Sequence, residues 1–197
     1  MLTFGTLGPE ESNHMWVVQR YLAFHELRDT AVISFDDFHA AFSALFRGDI
    51  QHIVQVAVHP SVAECVAQYR GRAHIIDTFV SPSQGMSVLT RSTVTSPTTL
   101  ALPAPARGYV DTSKWERVIE EATTASVLSG LLEAKYDSGL TLTKYAQRYP
   151  ELLQISEEVG TVDDAWLVYG LERTCAGQVQ AWPQSPAAAL FKRSEYR

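Results

Sequence analysis

Short apolar or β-branched runs alternate along this chain with amphipathic stretches of helical length, and that alternation restricts the fold to α/β layers. Leu2–Leu7 reads as a first strand, Ala31–Phe35 as a second, and Gln51–Val58 as a third, β-branched and buried. Between them, a helix from Asn13 to Leu27 carries Val17, Tyr21 and Phe24 on one stripe, with Val18 and Leu22 beside it. Asp36-Asp37 cap a second helix whose Phe38, Phe42, Leu45 and Phe46 share a face, and Gly48 ends it. Pro60 suits the first position of a third helix bearing Val62, Cys65, Val66 and Tyr69. Ala73–Phe79 and Met86–Thr90 are further strands.

The pattern resumes after a Ser/Thr/Pro-rich stretch, in which Ser92–Pro97 reads as a crossing linker. Thr99–Leu102 and Trp115–Glu120 are expected strands. Thr123 or Thr124 caps a helix over Ala125–Ala134, and Leu140–Tyr149 reads as a helix stopped by Pro150. Leu152–Val159 and Ala165–Leu171 return as strands, and the tail from Thr174 has turn residues and little periodicity. The expected architecture is a mostly parallel sheet with helices on both faces, repeated in two units.

Composition excludes several functions. With 197 residues, 46% of them hydrophobic, the chain can bury a core in one domain or two small lobes. Net charge is −6 and no basic stripe interleaves with aromatics, which argues against nucleic acid. No run approaches the roughly 18 apolar residues of a membrane helix. Cys65 and Cys175 lie far apart, with no CxxC and no Cys/His ligand spacing. They read as reduced thiols, with no metal site. Met1-Leu2-Thr3-Phe4 lacks the basic and apolar regions of a signal peptide, so the expected location is cytoplasmic. No P-loop, dinucleotide fingerprint or hydrolase elbow is present, and no cofactor is expected.

The segment Thr6-Leu7-Gly8-Pro9-Glu10-Glu11-Ser12-Asn13-His14 carries the most chemistry. A tight turn at Gly8-Pro9 leads to two good N-cap residues, so a helix N-terminus with free N–H groups faces whatever lies at the strand end. Such an end attracts a carboxylate or phosphate, although many helices begin this way with no ligand.

T-L-G-P-E running into a helix resembles the opening of the prephenate dehydratase family. Phe35-Asp36-Asp37-Phe38 with Gly48-Asp49 is similar to that family's helix before its third strand, and Ala122-Thr123-Thr124-Ala125 resembles its S-T-A-type helix start. The resemblance implies a two-lobed α/β fold of the type II periplasmic-binding-protein kind, with the ligand between the lobes. It places residues 1–92 plus 163–197 in lobe one and 93–162 in lobe two. Two motifs depart from the family. Gln55-Val56-Ala57-Val58-His59 stands where dehydratases carry a P-I-E-N-S-type motif, so the Glu-Asn pair is absent. Asp164-Ala165 stands where they carry the Thr-Arg pair that serves dehydration, and Trp166 follows. The chain therefore resembles the small branch of non-aromatising prephenate decarboxylases of bacilysin-type antibiotic pathways.

The resemblance implies a lyase acting on prephenate or a related cyclohexadienyl acid, with a homodimer as the family-level assembly. A carboxylate-binding protein without catalysis, and a dehydratase with atypical residues, stand beside it. The expected carboxylate sites are Ser12 and Asn13 at one helix start and Thr123 and Thr124 at another. Ser83 and Gln84 line the cleft or form a plain turn, and Arg107 clamps a carboxylate or is solvated. The expected catalytic candidates are His14, His59 and Asp164. His14 either donates to a carboxylate or is an ordinary exposed side chain. His59 ends a strand at the cleft side of the sheet, and is either a site residue or a structural one. Asp164 reads as a loop carboxylate, and serves as a proton donor only where burial raises its pKa. His25, His39, His52 and His74 read as surface or packing residues.

Overall fold

The computed structural model describes residues 1–185 and Ala187; the expected remainder of the Pro/Ala-rich tail lies outside the described residues. Two five-stranded sheets organise the chain, each with helices packed on it. The first contains β1 (Leu2–Leu7), β2 (Thr30–Phe35), β3 (His52–Val56), β4 (His74–Pro82) and β10 (Asp163–Gly170), in the order β2-β1-β3-β10-β4. The second contains β5 (Met86–Arg91), β6 (Thr99–Pro103), β7 (Arg117–Glu121), β8 (Ser138–Leu142) and β9 (Leu153–Gly160), in the order β7-β6-β8-β5-β9. The fold is the two-lobed α/β arrangement expected.

Local chemistry explains the helices. Ser12 caps α1 (Asn13–Phe24), its hydroxyl accepting from the Met15 N–H at 3.2 Å. Asp37 caps α2 (Phe38–Arg47) by accepting from the Ala40 N–H at 2.7 Å. Gly48 closes α2 in the left-handed region at φ 82°, where a side chain would be strained. Phe38, Phe42 and Leu45 recur at helical spacing and are all buried, as the pattern requires. α3 (Val62–Tyr69) follows, with Ser61 as its cap, so Pro60 sits in the turn before the helix rather than at its first position. α4 (Thr124–Leu132) begins with a reciprocal capping box. Thr123 Oγ1 accepts from the Ser126 N–H and Ser126 Oγ accepts from the Thr123 N–H, each at 3.0 Å.

Several expectations are corrected. The sheets are mixed, not mostly parallel: β10 runs antiparallel to both β3 and β4, and β5 antiparallel to both β8 and β9. A returning strand has the same apolar pattern in either direction, so periodicity is blind to polarity. Leu140–Tyr149 is not one helix. It is the end of β8, a turn at Thr143 and the short helix α5 (Lys144–Arg148). Every residue of β8 is buried, and a fully buried strand shows no period-2 signal. The stripe on α1 is Val17, Val18 and Leu22, whereas Phe24 is 79% exposed. Ser92–Pro97 is a surface turn and not the crossing; the chain changes sheets at residues 83–85 and 161–162. The expected division at residue 92 places Met86–Arg91 in lobe one, but its hydrogen bonds place it in the second sheet. Two further bonds tie the crossings together: the Ser83 N–H donates to the Val162 carbonyl at 2.7 Å, and the Val162 N–H donates to Ser83 Oγ at 2.9 Å.

The cores follow the sheets. One cluster gathers Val88, Leu89, Leu100, Leu102, Leu131 and Leu140 of the second sheet and its helix. The first sheet packs one face on α2 through Phe42 and Leu45, and the other on α1 through Val17, Val18 and Trp166. Gly130 shows how close the fit is. A Cβ there would enter the Tyr136 ring, whose hydroxyl donates to the Val127 carbonyl at 2.9 Å. Gly130→Ala should raise intrinsic helix propensity by about 1 kcal/mol and still destabilise the protein by about 1–3 kcal/mol through overpacking. A urea-unfolding midpoint lower than wild type is the expected outcome; a higher one would contradict the packing.

Candidate functional site

The cleft between the two sheets encloses about 250 Å³ and is lined from both of them. Nine of the ten side chains singled out from sequence line it: Ser12, Asn13, His14, His59, Ser83, Gln84, Thr123, Thr124 and Asp164. Arg107 lies outside the lining. It sits on the 3₁₀ turn Ala104–Tyr109, half-exposed, with its guanidinium 3.7 Å from the Glu120 carboxylate. The wall contains no lysine and no arginine, and Asp164 is its one carboxylate among the described residues.

Two helix starts meet across this space. Ser12 Oγ is occupied, since it caps Met15 and donates to the Leu7 carbonyl at 3.0 Å. The N–H groups of Asn13 and His14 have no hydrogen-bond partner among the described residues. In the opposite lobe, the capping box leaves the N–H groups of Thr124 and Ala125 equally unpartnered. Each pair carries the partial positive charge of a helix N-terminus. The positive potential that these helix starts bring to the cleft comes from dipoles rather than from full charges.

Three of the sequence candidates direct their polar groups to the hinge. Asn13 Oδ1 accepts from the Gln84 N–H at 2.9 Å. Ser83 Oγ donates to the Gln84 carbonyl and accepts from Val162. Gln84 Nε2 donates to the Glu11 carbonyl and its Oε1 accepts from Lys144 at 2.9 Å. Arg148 completes this clasp with a two-point bond to the Glu11 carboxylate, both distances 2.8 Å. Sequence reading missed Glu11, Lys144 and Arg148 because no local motif marks a pair 137 positions apart.

His14 and His59 pack edge-on within an apolar-walled group. The His14 ring packs edge-on against Trp166 at 5.3 Å and lies 5.8 Å from Phe38 and 6.2 Å from His59. Its Nε2 is buried and has no partner among the described residues. Burial first, and the nearby His59 second, push its pKa down to about 3, so His14 is neutral at ordinary pH. Burial also pushes His59 below its usual value. His59 Nδ1 accepts from the Ser61 N–H at 3.2 Å and lies 2.8 Å from Ser61 Oγ, which in turn accepts from Gln55 Nε2 at 3.1 Å. An Nδ1 that accepts a backbone N–H leaves the ring proton on Nε2. This Gln55–Ser61–His59 relay was not legible in the sequence, because Gln55 reads there as one polar residue within a buried strand.

Asp164 is 9% exposed and has no ion pair among the described residues. Burial first and the adjacent Asp163 second raise its pKa. Tyr109 shares the wall with it, and burial together with the Asp164 charge pushes that phenol up. Tyr109 was not anticipated, since it lies in an irregular Pro-rich segment. A buried carboxyl beside a phenol can hold and deliver a proton.

No protein-family model matches the chain, and no curated protein matches it in sequence. Solved structures do match its shape. A prephenate dehydratase in complex with L-Phe from Arthrobacter aurescens superposes with a TM-score of 0.64 at 16% identity, covering 90% of this chain and 63% of that one. The chain thus spans less than two thirds of that dehydratase. The periplasmic VFT2 domain of Bordetella pertussis BvgS gives 0.52 at 12% identity, covering 86% and 80%. An ABC transporter from Parabacteroides distasonis gives 0.55 at 13% identity, covering 86% and 66%. At these identities the similarity defines the fold alone: a two-lobed, type II periplasmic-binding-protein-like domain, similar to part of the prephenate dehydratase structure. Among the described residues no helix is long and apolar enough to cross a membrane.

The depressed His14 pKa has a consequence for stability. Protonation below the unfolded-state value of about 6.5 favours the unfolded chain, so the stabilisation is complete above that pH and is lost progressively down toward pH 3. Shifts at His52 and His59 act in the same direction. The expected result is a urea midpoint that falls between pH 7 and pH 5, with a distinctly shallower fall in His14→Gln. An unchanged slope in that variant would contradict a buried neutral His14.

Proposed function

We propose that the cleft binds a small cyclic carboxylic acid, and that the chain is a carbon–carbon lyase releasing CO2 from a cyclohexadienyl acid of the prephenate kind without expelling its ring hydroxyl. The observation that carries this reading is the make-up of the cleft wall among the described residues: two facing helix N-termini, one raised carboxyl and no cation. The helix N-termini hold carboxylates. A carboxylate in an apolar wall without a counter-cation is poorly stabilised, which favours its departure as neutral CO2. The carbon–carboxylate bond breaks, its electron pair moves through the ring double bonds, and a ring carbon takes the proton of Asp164. Water then reprotonates Asp164. The Thr-Arg pair to which the family resemblance assigns hydroxyl departure is replaced by Asp164-Ala165, so the hydroxyl stays. A role in specialised-metabolite biosynthesis, in the cytoplasm and as a homodimer, goes with this reading.

A second reading is a two-lobed binding protein without catalysis. It is favoured by the neutrality of His14 and by the number of polar side chains committed to the hinge.

Purified protein incubated with prephenate separates these readings by UV absorbance, mass spectrometry and CO2 release. The lyase reading expects CO2 with the ring hydroxyl retained, and Asp164→Asn lowering kcat by about 10²–10⁴ while thermal stabilisation by prephenate persists. Stabilisation without turnover supports the binding protein. Phenylpyruvate, visible by its enol absorbance, would instead identify a dehydratase.

A further inference from the structure

A second cavity of about 270 Å³ lies in the first lobe and shares no lining residue with the cleft. It sits where α3, the start of β4 and the end of β10 converge. Its walls are aromatic. Phe42 stacks on Tyr69 at 4.5 Å between ring centres, and Tyr169 meets Phe42 edge-on at 5.1 Å. Arg70 and Arg173 border it, and neither has an ion-pair partner among the described residues.

Tyr169 makes this more than a gap in packing. The residue is 2% exposed, and its hydroxyl is buried with no hydrogen-bond partner among the described residues. A buried donor without an acceptor is costly, and native structures normally satisfy it. The other phenol of the wall is satisfied, since the Tyr69 hydroxyl lies 2.9 Å from His39 Nδ1. Among the described residues, the cavity lacks an acceptor beside Tyr169 and negative charge beside two arginines.

We propose that this cavity is a second small-molecule site, taking an aryl or alicyclic monocarboxylate. The ring of such a ligand packs beside the Phe42–Tyr69–Tyr169 cluster, against the edge of Tyr69 and the apolar side chains of Val66, Ala73 and Ile75. Its carboxylate accepts charge-assisted bonds from Arg70 and Arg173, and the Tyr169 hydroxyl donates to whichever ligand oxygen lies deepest. The proposal is independent of what the cleft does. An inorganic phosphate fits poorly because the walls offer it few donors and much apolar surface. A neutral arene would leave both guanidinium groups unpaired.

The test uses 3-phenylpropanoate, with 3-phenylpropanamide as the uncharged control, titrated into the full chain and followed by ¹H–¹⁵N spectra. Shifts are expected to cluster at residues 65–75 and 169–175, with the amide binding more weakly. The double variant Arg70→Gln/Arg173→Gln carries only surface changes and should fold normally. It should weaken the carboxylate by about tenfold and bring it level with the amide. Tyr169→Phe should weaken binding by about fivefold while leaving the protein at least as stable, because it removes an unpaired donor. Shifts confined to residues 12–14 and 123–125, no saturable shift at millimolar ligand, or full affinity in the double arginine variant would each overturn the proposal.

Discussion

The insertion of β10 between β3 and β4 holds the first lobe together, and the cleft depends on it. This strand returns from the far lobe and pairs antiparallel on both sides, from Asp163↔Pro82 to Gly170↔His74 on one edge. Its Trp166 is fully buried, stacked 6.2 Å from Phe79 and edge-on to His14. Two residues earlier the same strand presents Asp164 to the cleft, and three residues later it buries Tyr169 beside the second cavity. Strand alternation places residues 164, 166 and 168 on one side and 167 and 169 on the other. One pleated strand thus lines both cavities, the cleft with Asp164 and the second with Tyr169.

The electrostatics of the cleft rest on partial charges. Lys144 and Arg148, which stand beside it, are taken up by Glu11 and Gln84 in the clasp. Arg107 is turned toward Glu120. Backbone N–H groups at two helix starts remain for an anion, and they are fixed in place by the capping bonds of Ser12 and Thr123. Preorganised dipoles need no reorientation when a ligand arrives. The neutral His14 and the raised Asp164 are consequences of the same burial, acting in opposite directions on a base and an acid.

The hinge explains why residues chosen for a ligand can also belong to the scaffold. Asn13, Ser83 and Gln84 stand where the lobes meet, so a side chain can line the cleft and still spend its polar atoms on the crossing. The backbone N–H groups at the starts of α1 and α4 and the Asp164 carboxyl have no hydrogen-bond partner among the described residues and line the cleft. The two-lobed proteins that share this fold include both a dehydratase and periplasmic domains. The fold alone therefore does not choose between chemistry and binding, and that choice falls to a few wall residues.

Sequence reading went furthest where the signal is local. Helix caps at Ser12, Asp37 and Thr123, the glycine stop at Gly48 and the apolar stripe of α2 depend on neighbours within four positions, and each is written in the chain. The α/β alternation and the cleft-facing helix starts follow from them. Strand direction, the identity of β8 and the true crossing points do not, because a buried strand reads alike in either direction and hides its period. The Glu11–Arg148 clasp, the Gln55–Ser61–His59 relay and the unpaired phenol of Tyr169 arise only when distant segments pack. By itself, then, the sequence determined most of the helices and strands, β8 and α5 excepted, and where the capped helix starts lie. The tertiary structure decided which polar groups stay free, since hydrogen-bond satisfaction depends on neighbours that only folding supplies.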